Sequence, residues 1–317
     1  MQRRSGRGIS IDAKYYGLLA CLVLAYLVTV IFFQPDSTLL SRYHLNDTQY
    51  RLLSLTVVIP VIAIWFGAFY SFVKLGNYVK KIENTPDGRE FAWLYAGLVA
   101  FGLGLPLGSL ISRLLTYGAR QSIISQSFAT IVGTHITLVF VLIGSILLVI
   151  GSWRLMSLVK KARVPHWQTL GAAVALIILS IIYGYAALHN PLRQTTGQPL
   201  TTAAYAMPDW LIFTTIVLPY IVAWACGFYT TLWLHTYHHH VNGKIYRRAL
   251  KRLNTGVFIV IFASVLVRLL TNMPTNIADW GLRTMLLLLY ALLFIIAVGY
   301  VLIALGAKGL SRLEEVT

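Results

Sequence analysis

The densest group of ligand-type side chains in the sequence is a run of histidines, His235 and then His238 to His240. His235 and His239 are one helical turn apart, a spacing at which two imidazoles can share a metal ion. No carboxylate or cysteine lies nearby to complete a metal site, and the flanking residues are basic. A helix end that contacts lipid headgroups is the alternative explanation. We therefore predict no bound metal, with His235 and His239 as the candidate ligands if one binds.

A second group consists of two arginines, Arg113 and Arg268, each at the outer end of a long apolar segment. An arginine near a helix end can extend to the lipid headgroups at little cost, so one interpretation is purely interfacial. The other is a pair of fixed positive charges near the centre of the molecule, which attract an anion or an anionic headgroup. The sequence leaves both interpretations open.

A third group is built on prolines inside apolar segments. Pro60 and Pro219 each precede a tryptophan by five residues. Proline removes a backbone donor and frees a carbonyl one turn back, which kinks a helix. Such a kink can simply set the shape of the helix, or it can act as a hinge beside a cavity. The functional interpretation places six residues along a pathway: Pro60, Pro219, Trp65, Trp224, Tyr70 and Tyr229.

Closely spaced glycines distinguish the third apolar segment. Pro106 lies among closely spaced glycines between Gly97 and Gly108, which predicts either a broken helix with exposed carbonyls or an unusually close helix contact. Close contact is the commoner cause, whereas a broken helix would add Pro106 to the candidate pathway residues. Two other pairs, each spaced by seven residues, predict tightly packed helix faces: Gly144 with Gly151, and Gly299 with Gly306.

The absence of certain residues and motifs reduces the number of functions that fit the sequence. No Asp or Glu lies inside any of the long apolar segments. Proton- or sodium-coupled transport and intramembrane hydrolysis usually need such a carboxylate, so both lose support. No phosphate-binding loop is present either. We expect the chain not to be an enzyme and to need no cofactor.

The elements that must position these residues are membrane helices. The chain is 57% hydrophobic and 11% charged, with a mean hydropathy of +0.71, whereas soluble domains carry roughly 25% charged residues. Its apolar residues form runs long enough to span a bilayer as helices. We predict an all-α polytopic membrane protein with eight spans: Tyr15–Phe33, Leu52–Val73, Phe91–Ser112, Phe128–Gly151, Leu170–Leu188, Leu211–Leu234, Gly256–Leu270 and Leu282–Leu305.

The basic residues predict the orientation of these spans. The net charge is +16, and membrane proteins concentrate Lys and Arg on the cytoplasmic side. With both termini inside, the outer segments hold no lysine and seven arginines, whereas the inner ones are strongly basic. We therefore predict a multi-pass protein of the cell or inner membrane, with cytoplasmic loops around Lys80, Lys160 and Arg247. Contact with anionic headgroups then accounts for the charge better than nucleic acid does.

An internal repeat connects the two halves of the sequence. An offset of 159 aligns the second apolar segment with the sixth, including Pro60 with Pro219 and Trp65 with Trp224. An offset of 155 then aligns Arg113 with Arg268, with a four-residue gap before the third segment. We predict two parallel four-helix units, residues 1–164 and 165–317, related by a two-fold axis along the membrane normal. Residues 50–155 should superpose on 209–310.

Two functions fit this architecture. The first is a passive channel or facilitative transporter of a small solute, with an anion as the candidate, whose pathway lies between the two units. The alternative is a non-transporting membrane scaffold or accessory subunit that binds lipid or a partner protein. A water-accessible central cavity would favour the first, whereas a dry contact between the units would favour the second.

Overall fold

The computed structural model describes residues 11–32, 47–159, 164–188, 210, 213–241, 243–272 and 281–313. These residues form α-helices and one π-helical turn, with no strand among them. Each of the eight segments predicted as a span has a helix. The helices are α1 (Ile11–Phe32), α2 (Asp47–Lys81), α3 (Pro86–Arg120), α4 (Gln126–Ser157), α5 (His166–Leu188), α6 (Leu218–His240), α7 (Lys244–Asn272) and α8 (Gly281–Leu313), and the π-helical turn Phe213–Val217 precedes α6.

Six helices in the described part of the chain are long and apolar enough to cross a membrane. They are α2 and α4 to α8, so the chain has the character of a multi-pass membrane protein. Helix α1 contributes a shorter apolar stretch, Tyr15–Val28, and α3 is not among the six. Eight crossings therefore remain a prediction.

Local sequence signals explain where two of the helices begin. Thr85 caps α3 by accepting a hydrogen bond from the backbone nitrogen of Gly88 at 3.1 Å, and Pro86 occupies the first turn. Ser125 caps α4 in the same way through Phe128 at 3.2 Å. Gly243 has a φ of 98°, which only glycine adopts easily, and this lets the chain turn directly from α6 into α7.

The helices pack in a crossed arrangement. The most extensive contacts join α3 to α4 and α7 to α8, followed by α2 to α8 and α4 to α6. Smaller contacts join α1 to α2 and α5 to α6. Consequently α4 and α8, the last helices of the two predicted units, each pack against the second helix of the other unit. The units are interlocked rather than placed side by side.

Glycines make the tightest of these contacts. A Cβ at Gly144 of α4 would lie 2.5 Å from the backbone nitrogen of Phe101 in α3. A Cβ at Gly256 of α7 would lie 2.5 Å from the carbonyl oxygen of Gly299 in α8. Small residues allow such backbone-to-backbone contact where lipid supplies no hydrophobic driving force between helices. The packing role predicted for the paired glycines of α4 and α8 is confirmed.

Candidate functional site

The α1–α3 groove, an open cavity of about 740 Å³, lies between α1, α2 and α3 near the end of α2. Its wall is largely apolar, and charged residues stand at its rim. Tyr15 of α1 and Tyr95 of α3 are hydrogen-bonded through their hydroxyl groups, which ties the two outer helices together. The apolar wall includes Tyr15, Leu18, Val79, Ala92 and Tyr95, and the charged rim consists of Lys80, Glu83 and Arg89.

A glycine shapes this groove. A Cβ at Gly76 of α2 would lie 3.1 Å from the ring of Tyr95, so the tyrosine ring lies close to the backbone of α2. A side chain at Gly76 would push the ring aside or fill the groove. The open volume therefore depends on glycine at this position.

The basic cleft, a second cavity of about 690 Å³, lies between α2 and α8. Five cationic side chains and one carboxylate line it. Lys81 donates from Nζ to the carbonyl oxygen of Ser311 at 3.4 Å, which holds the end of α8 against α2. The charged lining is Lys74, Lys80, Lys81, Lys308, Arg312 and Glu83.

The groove and the cleft are adjacent, because Lys80 and Glu83 line both. We call the combined surface the α2 patch. It joins an apolar recess to a concentration of positive charge. Like charges held together repel one another and raise the local concentration of anions. An anionic group with an apolar tail is the ligand that matches both parts.

Towards the middle of the helices, the packing between the two predicted units is closer. The seam cavity, which has a volume of about 60 Å³, is lined by residues of α3, α4, α6, α7 and α8. That volume holds a few water molecules at most. Its polar groups include the hydroxyls of Ser145 and Ser264, and Ser264 already donates to the carbonyl oxygen of Val260 at 2.6 Å. The seam cavity is small and mainly apolar.

The predicted pathway residues are dispersed over several contacts. Trp65 is 1% exposed and packs edge-to-face on Tyr26 of α1 at 5.1 Å, while Trp224 packs on Tyr183 of α5 at 4.9 Å. Trp224 also lines the seam cavity. The other predicted aromatic residues lie nearer the helix ends: Tyr70 beneath the ammonium of Lys74 at 5.4 Å, and Tyr229 beside Trp233 at 5.8 Å.

The prolines differ in their setting. Pro60 is buried inside the continuous helix α2, whereas Pro219 is half-buried in the first turn of α6, directly after the π-helical turn. A π-turn is a common way to accommodate a proline within a membrane helix. The side chains of Arg113, Arg268 and Pro106 lie outside the described residues, so the pair of anion-attracting arginines stays a prediction.

The histidine run is more compact than its sequence suggested. Ligand atoms of three residues, His235, His238 and His239, all lie within 4.8 Å of one another. The sequence reasoning named the first and last and omitted His238. The signal was present, since positions i, i+3 and i+4 share one face of a helix.

A polar cluster that sequence reasoning missed links the two predicted units. Tyr237 of α6 donates its hydroxyl proton to Oδ2 of Asp87 in α3 at 3.3 Å. The hydroxyl groups of Tyr78 in α2 and Tyr246 in α7 are 3.5 Å apart. Each bond crosses from one unit to the other, so the cluster adds polar contacts to the interlocked helices.

These features must be interpreted from their own chemistry. No protein-family model, curated protein or solved structure matches the chain.

Proposed function

We propose that this chain is a multi-pass membrane protein that binds an anionic lipid or a similar anionic amphiphile at the α2 patch. The observation that carries the proposal is the continuity of the apolar α1–α3 groove with the basic cleft through Lys80 and Glu83. Headgroup charge would lie among the lysines, and acyl chains would lie along the apolar wall. We propose a binding role rather than a catalytic one.

The charge of the cleft supports an anionic headgroup. Its side chains carry five positive charges against one negative charge. Clusters of Lys and Arg at the ends of membrane helices attract anionic headgroups, at about 1 kcal/mol for each basic residue near the surface. We place the patch on the cytoplasmic side, since the positive-inside distribution of Lys and Arg assigns the end of α2 to that side.

The channel or facilitative transporter is the other candidate. It needs a continuous passage between the two units. The basic cleft opens between α2 and α8 at the helix ends, but towards the middle of the described helices the seam cavity of about 60 Å³ is too small and too apolar to hold a hydrated solute. This favours the scaffold or accessory class over a pathway. A flux assay in sealed vesicles would reverse the preference if a small anion crossed faster with the protein than without it.

We also propose that the two units, residues 1–164 and 165–317, are parallel repeats. Their first helices, for which the sequence offered no alignment, supply the clearest support. The Tyr26–Trp65 pair meets at 5.1 Å and 65°, and the Tyr183–Trp224 pair meets at 4.9 Å and 62°. An offset of 157 also aligns the buried Leu19 with the buried Leu176.

The glycine contacts support a different alignment for the third helices. Gly97 lies beside the carbonyl oxygen of Gly144, and Gly256 lies beside that of Gly299. These contacts relate α3 to α7 by 159 and α4 to α8 by 155. The four-residue gap then falls after the third helix of each unit, not before it.

This alignment bears on the arginine pair. With an offset of 159, Arg268 corresponds to Ser109 and Arg113 to Asn272. The two arginines then differ in position by one helical turn. The symmetric pair of anion-attracting arginines was inferred from their equivalent positions, and this alignment removes that equivalence.

Lipid preference in defined bilayers tests the proposed function. Replacing Lys74, Lys308 and Arg312 by Gln removes three charges from the cleft, whereas replacing Lys244, Arg248 and Arg252 by Gln removes three exposed charges of α7. We expect the cleft variant to lose at least fivefold of its preference for anionic over zwitterionic lipid, measured by native mass spectrometry of the protein from mixed nanodiscs. The α7 variant should change less than twofold. Equal losses in both variants would show that general surface charge, and not the α2 patch, selects the lipid.

A further inference from the structure

The last turn of α6 presents three imidazoles on one face. The ring centroids of His235 and His238 are 4.9 Å apart, those of His235 and His239 are 4.6 Å apart, and those of His238 and His239 are 4.1 Å apart. Their ligand nitrogens all lie within 4.8 Å of one another. Because the three residues belong to one rigid helix, the cluster is formed by the helix itself and needs no loop to assemble it.

His238 differs from its two neighbours. It is 3% exposed, and its Nδ1 atom is buried with no hydrogen-bond partner among the described residues. Buried polar atoms in native proteins nearly always have a partner. Backbone groups of Leu234 and His235 lie near this ring, but Nδ1 makes no hydrogen bond of good geometry. This favours a ligand that His238 shares with the two neighbouring imidazoles.

A metal ion fits the remaining geometry. Zinc bound to imidazole has a metal–nitrogen distance of about 2.0–2.1 Å, which places tetrahedral ligand atoms about 3.4 Å apart. The histidines therefore need to close by roughly 1.4 Å at the widest pair. His235 and His239 are exposed and can rotate towards His238. The carboxyl end of a helix also carries partial negative charge, which favours a cation.

The surroundings oppose a cation at one point. Lys251 of α7 is close enough to His235 to act on it electrostatically. Lys251 is exposed, and its long side chain can move its ammonium group into solvent. The repulsion therefore weakens the site without blocking it.

We propose that His235, His238 and His239 bind one transition-metal ion of the zinc, cobalt or nickel type. Imidazole is a borderline donor that these ions prefer, whereas magnesium and calcium require oxygen ligands. His238 acts as the fixed ligand, and the two exposed histidines complete a three-nitrogen set. A fourth position stays open to water. This site is independent of the α2 patch and of the proposed lipid binding.

Cobalt titration of the full-length protein, purified in detergent and without a polyhistidine tag, tests the site. We expect one equivalent of Co²⁺ to bind with the visible absorption of four-coordinate cobalt, and Zn²⁺ to displace it. Replacing His235 and His239 together by Gln should weaken binding at least tenfold. His238→Gln should do the same. Because His238 is buried, the double variant at exposed positions decides the outcome if His238→Gln does not fold.

His240→Gln is the matched control. His240 belongs to the same run, but its Nδ1 atom lies 2.8 Å from the carbonyl oxygen of Thr236, so we expect less than a twofold change. If His240→Gln weakened binding as much as the double variant, the run would be an unstructured chelator and the proposal would fail. Absence of stoichiometric Co²⁺ binding by the unmodified chain would also reject it. So would binding of inorganic phosphate that depends on the same histidines and that excludes the metal.

Discussion

The ends of α2 and α6 offer a direct comparison, because the proposed repeat places them at equivalent positions with an offset of 159. On α2, Gly76, Val79 and Lys80 line the open α1–α3 groove. The equivalent residues of α6 are the three clustered histidines, His235, His238 and His239. One unit therefore has an open amphipathic groove where the other has a compact group of imidazoles.

The deeper layers of the two units differ far less. Both units place an edge-to-face Tyr–Trp pair between their first and second helices, and both bring glycine backbones together between their third and fourth. The side chains at equivalent positions of the two units differ more towards the helix ends. There Glu90 pairs with Arg154 at 3.7 Å in one unit, while the equivalent Ala249 and Gly309 are simply in contact in the other.

This gradient separates positions that pack the helices together from positions that are free to differ. Residues that hold interlocked helices together have little freedom, since every change alters packing in both units. Residues at the helix ends are free to acquire new chemistry. The α2 patch and the histidine cluster both lie there, which is why we assign binding to the ends and stability to the middle.

The largest expected effect is the loss of a buried tryptophan. Trp65→Ala and Trp224→Ala should each lower the free energy of unfolding by about 3 kcal/mol, because each ring fills the contact between two helices. Trp167 and Trp210 are 72% and 66% exposed, so alanine there should change stability little. Unfolding in mixed detergent, followed by circular dichroism, provides the measurement. A large loss for Trp65→Ala and none for Trp224→Ala would break the equivalence of the two units.

Substitution of the packed glycines should have the next largest effect. A Cβ at Gly144 or Gly299 would come within 3.0 Å of a neighbouring helix, so Gly144→Ala and Gly299→Ala should each cost about 1–3 kcal/mol through overpacking.

Glycines without such neighbours serve as controls for this effect. A Cβ at Gly171 or Gly184 in α5 would meet nothing within 4 Å. Alanine there should be neutral or should stabilise the helix by about 0.5–1 kcal/mol. Similar thermal shifts for all four variants would mean that helix propensity, and not interhelical contact, governs these positions.

The sequence predicted the helices far better than it predicted their contacts. Long apolar runs specify helices directly, because a bilayer leaves the backbone few alternatives. The offset that aligns α3 with α7 was harder to predict from the sequence than the helices themselves. The run Arg113–Leu114–Leu115–Thr116 resembles Arg268–Leu269–Leu270–Thr271, and that local likeness favoured an offset of 155, whereas the glycine contacts support 159.

The candidate sites were harder still to infer. The charges of the basic cleft come from α2 and α8, helices more than 200 residues apart along the chain, and no periodicity reveals that they meet. Val79 and Gly76 have no chemistry of their own, so a groove that depends on them leaves no motif. The histidine cluster lies on one helix, so its spacing was visible in the sequence, yet only His235 and His239 were named and His238 was omitted.

The smallest expected effect concerns the tyrosine cluster between the units. The proposed repeat, with its offset of 159, pairs Tyr78 with Tyr237 and Asp87 with Tyr246. The two hydrogen bonds therefore occupy equivalent positions, but their chemistry differs. Tyr237 donates to a carboxylate at 3.3 Å, whereas Tyr78 and Tyr246 join two neutral hydroxyls at 3.5 Å. A hydrogen bond to a charged partner contributes about 1.5–3 kcal/mol, against about 0.5–1.5 kcal/mol for a neutral pair. Tyr237→Phe should therefore destabilise the protein more than Tyr78→Phe does.

A double-mutant cycle sharpens this last test. Asp87→Ala combined with Tyr237→Phe removes both partners, and the coupling free energy isolates the bond from the cost of each change alone. We expect a coupling of about 1 kcal/mol, since the bond is long and half-buried and water can compete for both groups. Tyr78→Phe combined with Tyr246→Phe should give a coupling of less than half that value. If the two couplings were equal, the carboxylate would add nothing, and the two crossing bonds would be equivalent in energy as well as in position.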